Sequence, residues 1–537
     1  MSSTHITQGW NFNNSYTLLP EPLFSPTLPT PVAAPATVLL NQRLAKKLGL
    51  DFSTTTQEEL AAFFSGNTLP PGAMPIAQAY AGHQFGGFNM LGDGRAILLG
   101  EQMAPGGKRF DIQLKGAGPS VYSRRGDGRA TLSAVLREYL MSEAMYHLGI
   151  PTTGSLAATL TGEQVRRETM QPGGVLTRVA ASHIRVGTFE YIARFESKEV
   201  LETFVEYTIQ RHYPLLADAE NKALALLEAV LERQVHLITH WMRVGFIHGV
   251  MNTDNMSIAG ETIDYGPCAF MNRYHPATAY SAIDVQRRYA YANQPPIAQW
   301  NLARLAGSLL PLIHDTPEKG IELAQPIINN FPTLYHTAWL QMMRQKLGWA
   351  GEQTDDADLI TALLDWMEGQ NADYTNTFLL LQAQLAHTDE PTAMALWMEK
   401  YAVIGKADAR EQEYDEATFK KWLLQWRQRV AALGGSETGW PRHPAAEAAA
   451  VRSGPRVSPP PPKGARRRRA RLRADPPAPR AERSQASRCG SRPGPSAGSR
   501  TPSSSWRSRW SSSPWGRSPM ARRWGQSPRR SATASGP

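Results

Sequence analysis

Cysteine is nearly absent from this 537-residue chain, which has only Cys268 and Cys489. Two thiols exclude a disulfide framework and any zinc site built from several cysteines. Long apolar runs are missing too, since no stretch approaches the roughly 18 apolar residues of a membrane span. The first residues show neither the basic nor the apolar stretch of a secretion signal. We therefore expect a cytoplasmic protein without membrane contact.

Acidic residues are scarce only at one end of the chain. The formal net charge of +10 would suggest nucleic acid or a membrane surface as partner. Residues 436–537, however, hold 22 Lys and Arg against 4 Asp and Glu, and the remaining chain holds 35 basic against 43 acidic residues. The basic excess thus belongs to the C-terminal segment, and nucleic acid is not expected as the partner of the rest.

Residues 436–537 are built mainly from Arg, Pro, Ser, Ala and Gly. Few apolar groups and high charge cannot offset the entropy of an ordered chain, so we predict a disordered tail. Tryptophans between the arginines would suit RNA binding. The excess of Arg over Lys and the abrupt boundary favour a frame error in GC-rich coding DNA instead.

The length exceeds what one core of roughly 100–200 residues supports, so we expect two lobes. Scattered prolines predict an extended N-terminal arm over residues 1–75. Alternating apolar residues predict a β-rich small lobe over 76–197, and long amphipathic runs predict a helical large lobe over 198–435. The expected fold class is α+β.

The stretch 248–266, HGVMNTDNMSIAGETIDYG, holds the densest set of groups able to bind metal or phosphate. Its runs 256–258 and 261–263 predict a short hairpin with Asn255 and Asp264 at its two ends. A divalent cation bound to a nucleotide takes only one or two protein oxygens. This pair is therefore sufficient for Mg²⁺ or Mn²⁺.

The same stretch has the spacing of a kinase catalytic loop, where an HxD motif precedes a metal-binding Asn and a later DFG triplet. His248 and Asn255 keep that spacing, and Asp264 begins a DYG triplet. Val250 replaces the catalytic Asp, and valine cannot accept a proton. Asp254 is the candidate base in its place. Alternatively, Asp254 only caps a turn and Asp264 only occupies a hairpin.

A strand lysine and a helix glutamate are predicted upstream. Alternation over residues 110–115 places Lys115 at the end of a strand, on its polar side, and the run 130–147 predicts a helix with Glu138 at the edge of its apolar stripe. In kinases such a glutamate orients the lysine toward phosphates. A solvated ion pair is the alternative.

Two GDGR motifs occupy residues 92–95 and 126–129. The first is predicted at a hairpin tip, where backbone amides can approach a phosphate, although a tight turn requires the same glycines. Arg178 and Arg185 lie in the segment 174–196, which is predicted to be extended. They are able to clamp a phosphate bidentately or to form surface salt bridges.

Five blocks together resemble the selenoprotein O family, also called the YdiU family, over about residues 10–433: AYAGHQFGGFNMLGDGRAILLGE, LKGAGPSVYSRRGDGRA, HGVMNTDNMSI, TIDYGP and RYAYANQP. The resemblance implies a kinase-like two-lobed fold in which a small β-rich lobe contains one key helix and the large lobe is mainly helical. It implies ATP bound in reversed orientation and AMP transfer to Ser, Thr or Tyr hydroxyls of proteins. UMP transfer is attributed to some members. A kinase-like phosphotransferase and an inactive nucleotide-binding scaffold are the alternatives.

The resemblance also assigns roles to residues by motif. It implies Asn255 and Asp264 as metal ligands and Asp254 as the proton acceptor. The tail replaces further helical sequence of the family, so Cys489 is not equated with the family's terminal Cys or selenocysteine. The residues implied to bind or orient the nucleotide are Gly92, Gly94, Arg95, Lys115, Asp127, Gly128, Glu138, Arg178, Arg185 and Asp264.

Overall fold

The first half of the chain forms an antiparallel sheet. The computed structural model describes residues 8–384 and 415–431, so the predicted tail and Cys489 lie outside the described residues. The described strands are β1 (Phe24–Pro26), β2 (Ala36–Leu40), β3 (Ile76–Gln78), β4 (Ala81–Gln84), β5 (Gly87–Met90), β6 (Ala96–Met103), β7 (Arg109–Lys115), β8 (Ala130–Thr131), β9 (Gly154–Arg166), β10 (Met170–Ala180), β11 (Phe246–Ile247) and β12 (Ala269–Phe270).

The main sheet has the strand order β1, β3, β6, β7, β10, β9, β2, with β8 paired to β10. Strands β4 and β5 form a separate hairpin, and β11 pairs with β12 in another two-stranded sheet. On β7, Ile112 and Leu114 lie in the hydrophobic core. Asp111 and Gln113 occupy the other face, as the alternation predicts, and are buried there. The main sheet therefore carries a polar face on which a charged site can form.

Helices pack beside the sheet and make up most of the second half of the described chain. Their bounds are α1 (Gln42–Leu48), α2 (Gln57–Ser65), α3 (Leu132–His147), α4 (Val186–Phe195), α5 (Lys198–His212), α6 (Lys222–Arg243), α7 (Gln294–Ile313), α8 (Pro317–Lys346), α9 (Asp356–Gly369), α10 (Tyr374–Gln384) and α11 (Glu416–Ala431). None of the helices in these ranges combines the length and apolarity that a membrane crossing requires. The predicted α+β class, with a sheet-rich part followed by a helical part, is confirmed.

The N-terminal segment is more regular than an extended arm. Strand β1 pairs with β3 and β2 pairs with β9, so both belong to the main sheet. Helices α1 and α2 contribute Leu44, Leu48 and Phe64 to the core. These apolar side chains account for the order, because they are buried only when the segment packs on the sheet. The predicted domain boundaries after residues 75, 197 and 435 stay predictions.

Helix α6 delivers the chain to the predicted catalytic loop. Its apolar stripe, which includes Leu227, Leu231 and Trp241, is buried as the helical spacing predicts. The helix ends at Arg243, and Gly245 has φ +69°, a left-handed conformation that suits glycine. The chain then enters β11 and the loop beyond it.

The hairpin predicted over residues 256–263 is wrong. Ser257 forms a bridge with Arg185, and Thr262 forms one with Thr152. The two short runs therefore pair with distant segments instead of each other. Local β propensity cannot reveal this, because pairing depends on which backbone groups tertiary packing brings near.

Candidate active site

Three cationic side chains converge on one carboxylate. Lys115 Nζ lies 2.6 Å from both Asp264 Oδ1 and Glu138 Oε2. An Arg178 terminal nitrogen lies 2.6 Å from Asp264 Oδ1, and one of Arg185 lies 2.9 Å from Asp264 Oδ2. The pair of a strand lysine with a helix glutamate is the arrangement expected of a kinase-like small lobe.

The electrostatics of this cluster keep Asp264 ionised. Burial alone would raise the pKa of its carboxyl, but Arg178, Lys115 and Arg185 hold that pKa well below the ordinary value. Asp264 also has φ +61°, an uncommon conformation for a residue other than glycine. A strained backbone at a charged cluster is typical of functional sites. Lys115, Arg178 and Arg185 are strong donors for an anion, and the carboxylates paired with them are Asp264, Glu138 and, 3.9 Å from Arg185, Asp93.

Both arginines are buried, so the alternative of surface salt bridges is excluded. Their side chains are only 2% exposed. Arg178 also donates to Gln113 Oε1 (3.2 Å), and Arg185 donates to the carbonyl oxygen of Asp254 (2.8 Å). The guanidinium of Arg185 lies 4.5 Å from the ring centre of Tyr80. Fixed, planar cations of this kind recognise phosphate well.

The segment 174–196 was predicted to be extended throughout, and this is wrong beyond β10. The strand ends at Ala180, and helix α4 starts at Val186. Arg178 thus projects from a strand, whereas Arg185 precedes a helix. Val186, Phe189 and Ile192 of α4 recur at helical spacing and are buried, a signal that the interpretation of the whole segment as a strand passed over.

Asp254 lies in the short 3-10 turn Thr253–Asn255. It is 7% exposed, and burial raises the pKa of its carboxyl to about 6 although Arg185 opposes this. Gln84 Nε2 lies 3.3 Å from Asp254 Oδ2, while Oδ1 has no hydrogen-bond partner among the described residues. A buried carboxylate with one unpaired oxygen is suited to accept a proton.

The oxygen donors of the loop fit a hard divalent cation. The side-chain nitrogen of Asn255 donates to the carbonyl of Val250 at 2.9 Å, which fixes the amide. The second oxygen donor is the carboxylate of Asp264, which the neighbouring cations keep ionised. Within the described ranges, no group of three or more His, Cys, Asp or Glu residues is able to hold a metal. A cation that takes most ligands from phosphates and water needs no such group.

The first GDGR motif does not form the predicted hairpin tip. Strand β5 before it pairs with β4, and β6 after it pairs with β3, so the motif connects two sheets. Gly92 has φ +102°, and a Cβ there would overlap the ring of Tyr122. A Cβ on Gly94 would crowd the Tyr122 carbonyl. Arg95 is exposed beside them. These glycines therefore have a structural reason in the packing of Tyr122, and their nucleotide contact stays a prediction.

The second GDGR motif lies at the surface. Asp127 is 45% exposed and forms an ion pair with Arg167 at 2.7 Å. It also accepts from the backbone nitrogen of Arg129 at 2.9 Å. Gly128 has φ +63° and packs against the backbone of Gly118. These contacts do not include the lysine and arginine cluster, and the nucleotide-binding role of this motif stays a prediction.

Sequence reasoning missed Asp93, the acid inside the first GDGR motif. Its Oδ2 accepts from the Gln78 backbone and from the Gln113 amide, each at 3.1 Å, and Oδ1 lies 3.9 Å from Arg185. Burial raises its pKa to about 6, against the effect of Arg185. The repeated placement of an acid between two glycines was a signal, because Asp127 of the second motif was assigned to the nucleotide whereas Asp93 of the first was not.

Two curated relatives show how far similar sequences extend. A "Protein nucleotidyltransferase YdiU" of Bacillus cytotoxicus is 61% identical over 373 residues, which are 70% of this chain and 76% of that protein. The protein of the same name from Anoxybacillus flavithermus is 55% identical over 426 residues, or 79% of this chain and 83% of the relative.

Similarity to solved structures is much weaker. ROP2 from Toxoplasma gondii, described as a virulence factor with a protein-kinase fold and no enzymatic activity, matches at 12% identity with a TM-score of 0.24. The match covers 55% of this chain and 87% of ROP2. A likeness at this level supports no argument about the chain.

The family model described as "Protein adenylyltransferase SelO" matches residues 9–441, which include every residue of the charged cluster and of the 248–266 loop. The blocks that resemble this family thus lie within one continuous match. The charged cluster and the loop belong to the same matched region. The chain is a member of the SelO family of protein adenylyltransferases.

Proposed function

We propose that the chain transfers AMP from ATP to Ser, Thr or Tyr hydroxyls of proteins and releases pyrophosphate. The observation that carries this proposal is the order of burial in the charged cluster. The side chains of Arg178 and Arg185 are 2% exposed, whereas Lys115 is 14% and Asp264 21% exposed. A triphosphate bound along Lys115, Arg178 and Arg185 would have its arginine-bound end deepest.

The terminal phosphate is the group that suits the arginines best, because it carries the most charge and accepts several hydrogen bonds. With that end held deep, the α-phosphate lies nearer the opening. In-line attack there expels pyrophosphate, and Lys115, Arg178 and Arg185 stabilise the charge that develops on it. This orientation is the reverse of the usual kinase arrangement.

Val250 and Asp254 support the same assignment. Valine at the kinase base position removes the proton acceptor that would activate a hydroxyl against a γ-phosphate. Asp254, four residues further on, has an unpaired oxygen and a pKa raised by burial. We assign it the removal of the proton from the incoming hydroxyl.

Asn255 and Asp264 would hold Mg²⁺ or Mn²⁺, with ATP as the substrate. When bound, such a cation would neutralise part of the phosphate charge and so favour attack on the nucleotide. The protein residues fix its place, since Asn255 is tied to Val250 and Asp264 to the cation cluster. The relatives' shared name, protein nucleotidyltransferase, supports proteins and nucleotides as substrates, and UMP from UTP is the second candidate for the transferred group.

We place this activity in the cytoplasm, with protein substrates and without a membrane or nucleic acid partner. The scarcity of cysteine suits a reducing compartment. The excess of acidic residues outside the C-terminal segment does not suit a nucleic acid.

The alternatives are a kinase-like phosphotransferase and an inactive scaffold. Purified protein is incubated with a divalent cation, ATP labelled at either the α- or the γ-phosphate, and dephosphorylated casein as a hydroxyl-bearing probe. We expect label to enter protein from the α position only. Entry from the γ position only would establish the phosphotransferase, and nucleotide binding without any transfer would favour the scaffold.

A further inference from the structure

Strand β4 passes over Asp254 more closely than side chains would permit. A Cβ on Gly82 would overlap the Asp254 carboxylate. On the other side, a Cβ on Gly187 of helix α4 would overlap the Ala81 carbonyl and approach the Asp254 backbone. Glycine at both positions lets the strand and the helix contact the turn Thr253–Asn255 directly. Gln84, two residues along the strand on the face of Gly82, thereby reaches the carboxylate.

We propose that Gln84 is a positioning residue for Asp254, an inference that rests on the proposed function. Its Nε2 lies 3.3 Å from Asp254 Oδ2, whereas Oδ1 has no partner within the described residues. An amide that donates to one oxygen fixes the plane of the carboxylate. The carboxylate is then held with Oδ1 against the backbone of Gly82, which sets its orientation toward an incoming hydroxyl.

A hydrogen-bonded clamp on the opposite face of β4 keeps Gln84 in place. His83 Nδ1 lies 2.5 Å from Glu190 Oε1, and the Thr253 hydroxyl donates to Glu190 Oε2. The backbone nitrogen of His83 donates to the same hydroxyl oxygen at 2.7 Å. Glu190 is 5% exposed and is anchored in helix α4. The clamp ties the strand to the residue before Asp254, so the two move together.

The next residue of the strand continues this attachment. The backbone nitrogen of Phe85 lies 3.3 Å from Asn252 Oδ1 and 3.1 Å from the Tyr289 hydroxyl. Each of residues 83–85 is therefore hydrogen-bonded to one of residues 252–254. A side chain carried on such a strand is held precisely enough to orient a catalytic group.

The chemistry of glutamine separates donation from mere packing. An ionised aspartate only accepts hydrogen bonds, so its partner must donate. Glutamate has nearly the shape of glutamine but, when ionised, has no donor and repels Asp254. Gln84→Glu thus preserves volume and removes the proposed interaction. Gln84→Ala removes both.

The test measures AMP transfer from α-labelled ATP to dephosphorylated casein in the full chain. Because small misplacements of catalytic groups cost about 100-fold in rate, we expect kcat to fall at least about tenfold in Gln84→Glu and Gln84→Ala. The KM for ATP should remain within about twofold, since the loss arises in the transition state. Asn89→Asp is the matched control, because Asn89 is exposed on β5 of the same hairpin and donates to Gly87. Its kcat should be that of the wild type.

A double-mutant cycle tests whether Gln84 acts through Asp254. In an Asp254→Asn background, Gln84→Glu should lower the residual rate no further, whereas an independent structural role would lower it by the same factor as in the wild type. Wild-type kcat in Gln84→Glu, or a raised KM with unchanged kcat, would overturn the inference. Failure of the proposed function is separate, because it appears in the wild-type protein itself, as transfer of the γ-label or as no transfer.

Discussion

At the scale of single residues, the two acids Asp264 and Asp254 have very different surroundings. Asp264 is surrounded by three cations, which keep its carboxyl ionised. Asp254 is instead enclosed by backbone and one amide, and burial raises its pKa to about 6. Two acids in such different surroundings are expected to do different chemistry. The first suits ground-state binding of a cation and phosphate, and the second suits proton transfer.

We predict that Asp264→Asn and Asp254→Asn separate binding from transfer. Asp264→Asn should abolish the metal-dependent part of ATP affinity, because the charge that holds the cation is lost. Asp254→Asn should leave ATP affinity within about twofold and lower kcat by about 100-fold or more, the range of general base catalysis. Calorimetry with and without cation measures the binding, and circular dichroism confirms that each variant is folded. Equal losses of affinity would show that Asp254 is a ligand instead of a base.

At the scale of elements, close packing of β4 and α4 defines the surroundings of Asp254. Gly82 and Gly187 allow backbone to approach the turn Thr253–Asn255 where larger residues would overlap it. Helix α4 also carries Glu190, which accepts the hydroxyl hydrogen of Thr253. The position of Asp254, the proposed base, is therefore set by the contact of a strand, a helix and a turn.

Gly82→Ala is predicted to impair both stability and transfer. The added methyl group must displace β4 or the Asp254 carboxylate, and such overpacking costs about 1–3 kcal/mol. The matched control is Gly87→Ala on β5, where the added Cβ would meet only the Gln84 carbonyl at an ordinary 3.6 Å. Thermal unfolding and kcat should be nearly unchanged in the control. Wild-type behaviour of Gly82→Ala would mean that the strand has room to move away from Asp254.

The elements that were predictable are those with their own periodicity. Strand β7 and helix α6 were predicted because their apolar residues repeat every second or every third and fourth position. The pairing of Ser257 with Arg185 was not, because it joins segments distant in sequence through tertiary packing. The sequence motifs identified Lys115 and Asp264 as candidate site residues. The contact between these two side chains, which are 149 residues apart in the sequence, is visible only in the folded structure.

At the scale of the whole described molecule, a buried charge network joins the sheet to the first helices of the helical part. Arg211 on α5 lies 2.7 Å from Glu101 Oε2 and 2.5 Å from Asp111 Oδ1 on the sheet. Next to it, His212 Nε2 lies 2.7 Å from the Ser182 hydroxyl. Burial, together with Arg211 and Arg233, lowers the pKa of His212 to about 3. His212 is thus neutral in the folded protein at ordinary pH.

This burial predicts a loss of stability in mild acid. The unfolded chain binds a proton at His212 near its ordinary pKa of about 6.5, whereas the folded chain does so only near 3. The contribution of His212 is therefore complete above about pH 6.5 and declines as the pH falls toward 3. From about pH 7 to pH 5 the expected cost is up to about 2 kcal/mol.

Thermal unfolding of the wild type and His212→Gln at both pH values tests this prediction. Glutamine does not titrate and is able to keep the Ser182 hydrogen bond, so the variant should lose less stability in acid. His147→Gln is the control, because the His147 side chain is 68% exposed. Its acid sensitivity should match the wild type. Identical pH dependence in all three proteins would show that His212 is accessible to protons.

The transfer of AMP is tested most directly by intact-mass analysis of the acceptor protein after incubation with enzyme, ATP and a divalent cation. Adducts with the mass of an AMP residue are predicted, together with release of pyrophosphate, and both should form about 100-fold more slowly with Asp254→Asn. Adducts with the mass of a single phosphate group, formed with release of ADP, would contradict the reversed orientation of the nucleotide and the assignment of Arg178 and Arg185 to its terminal phosphate.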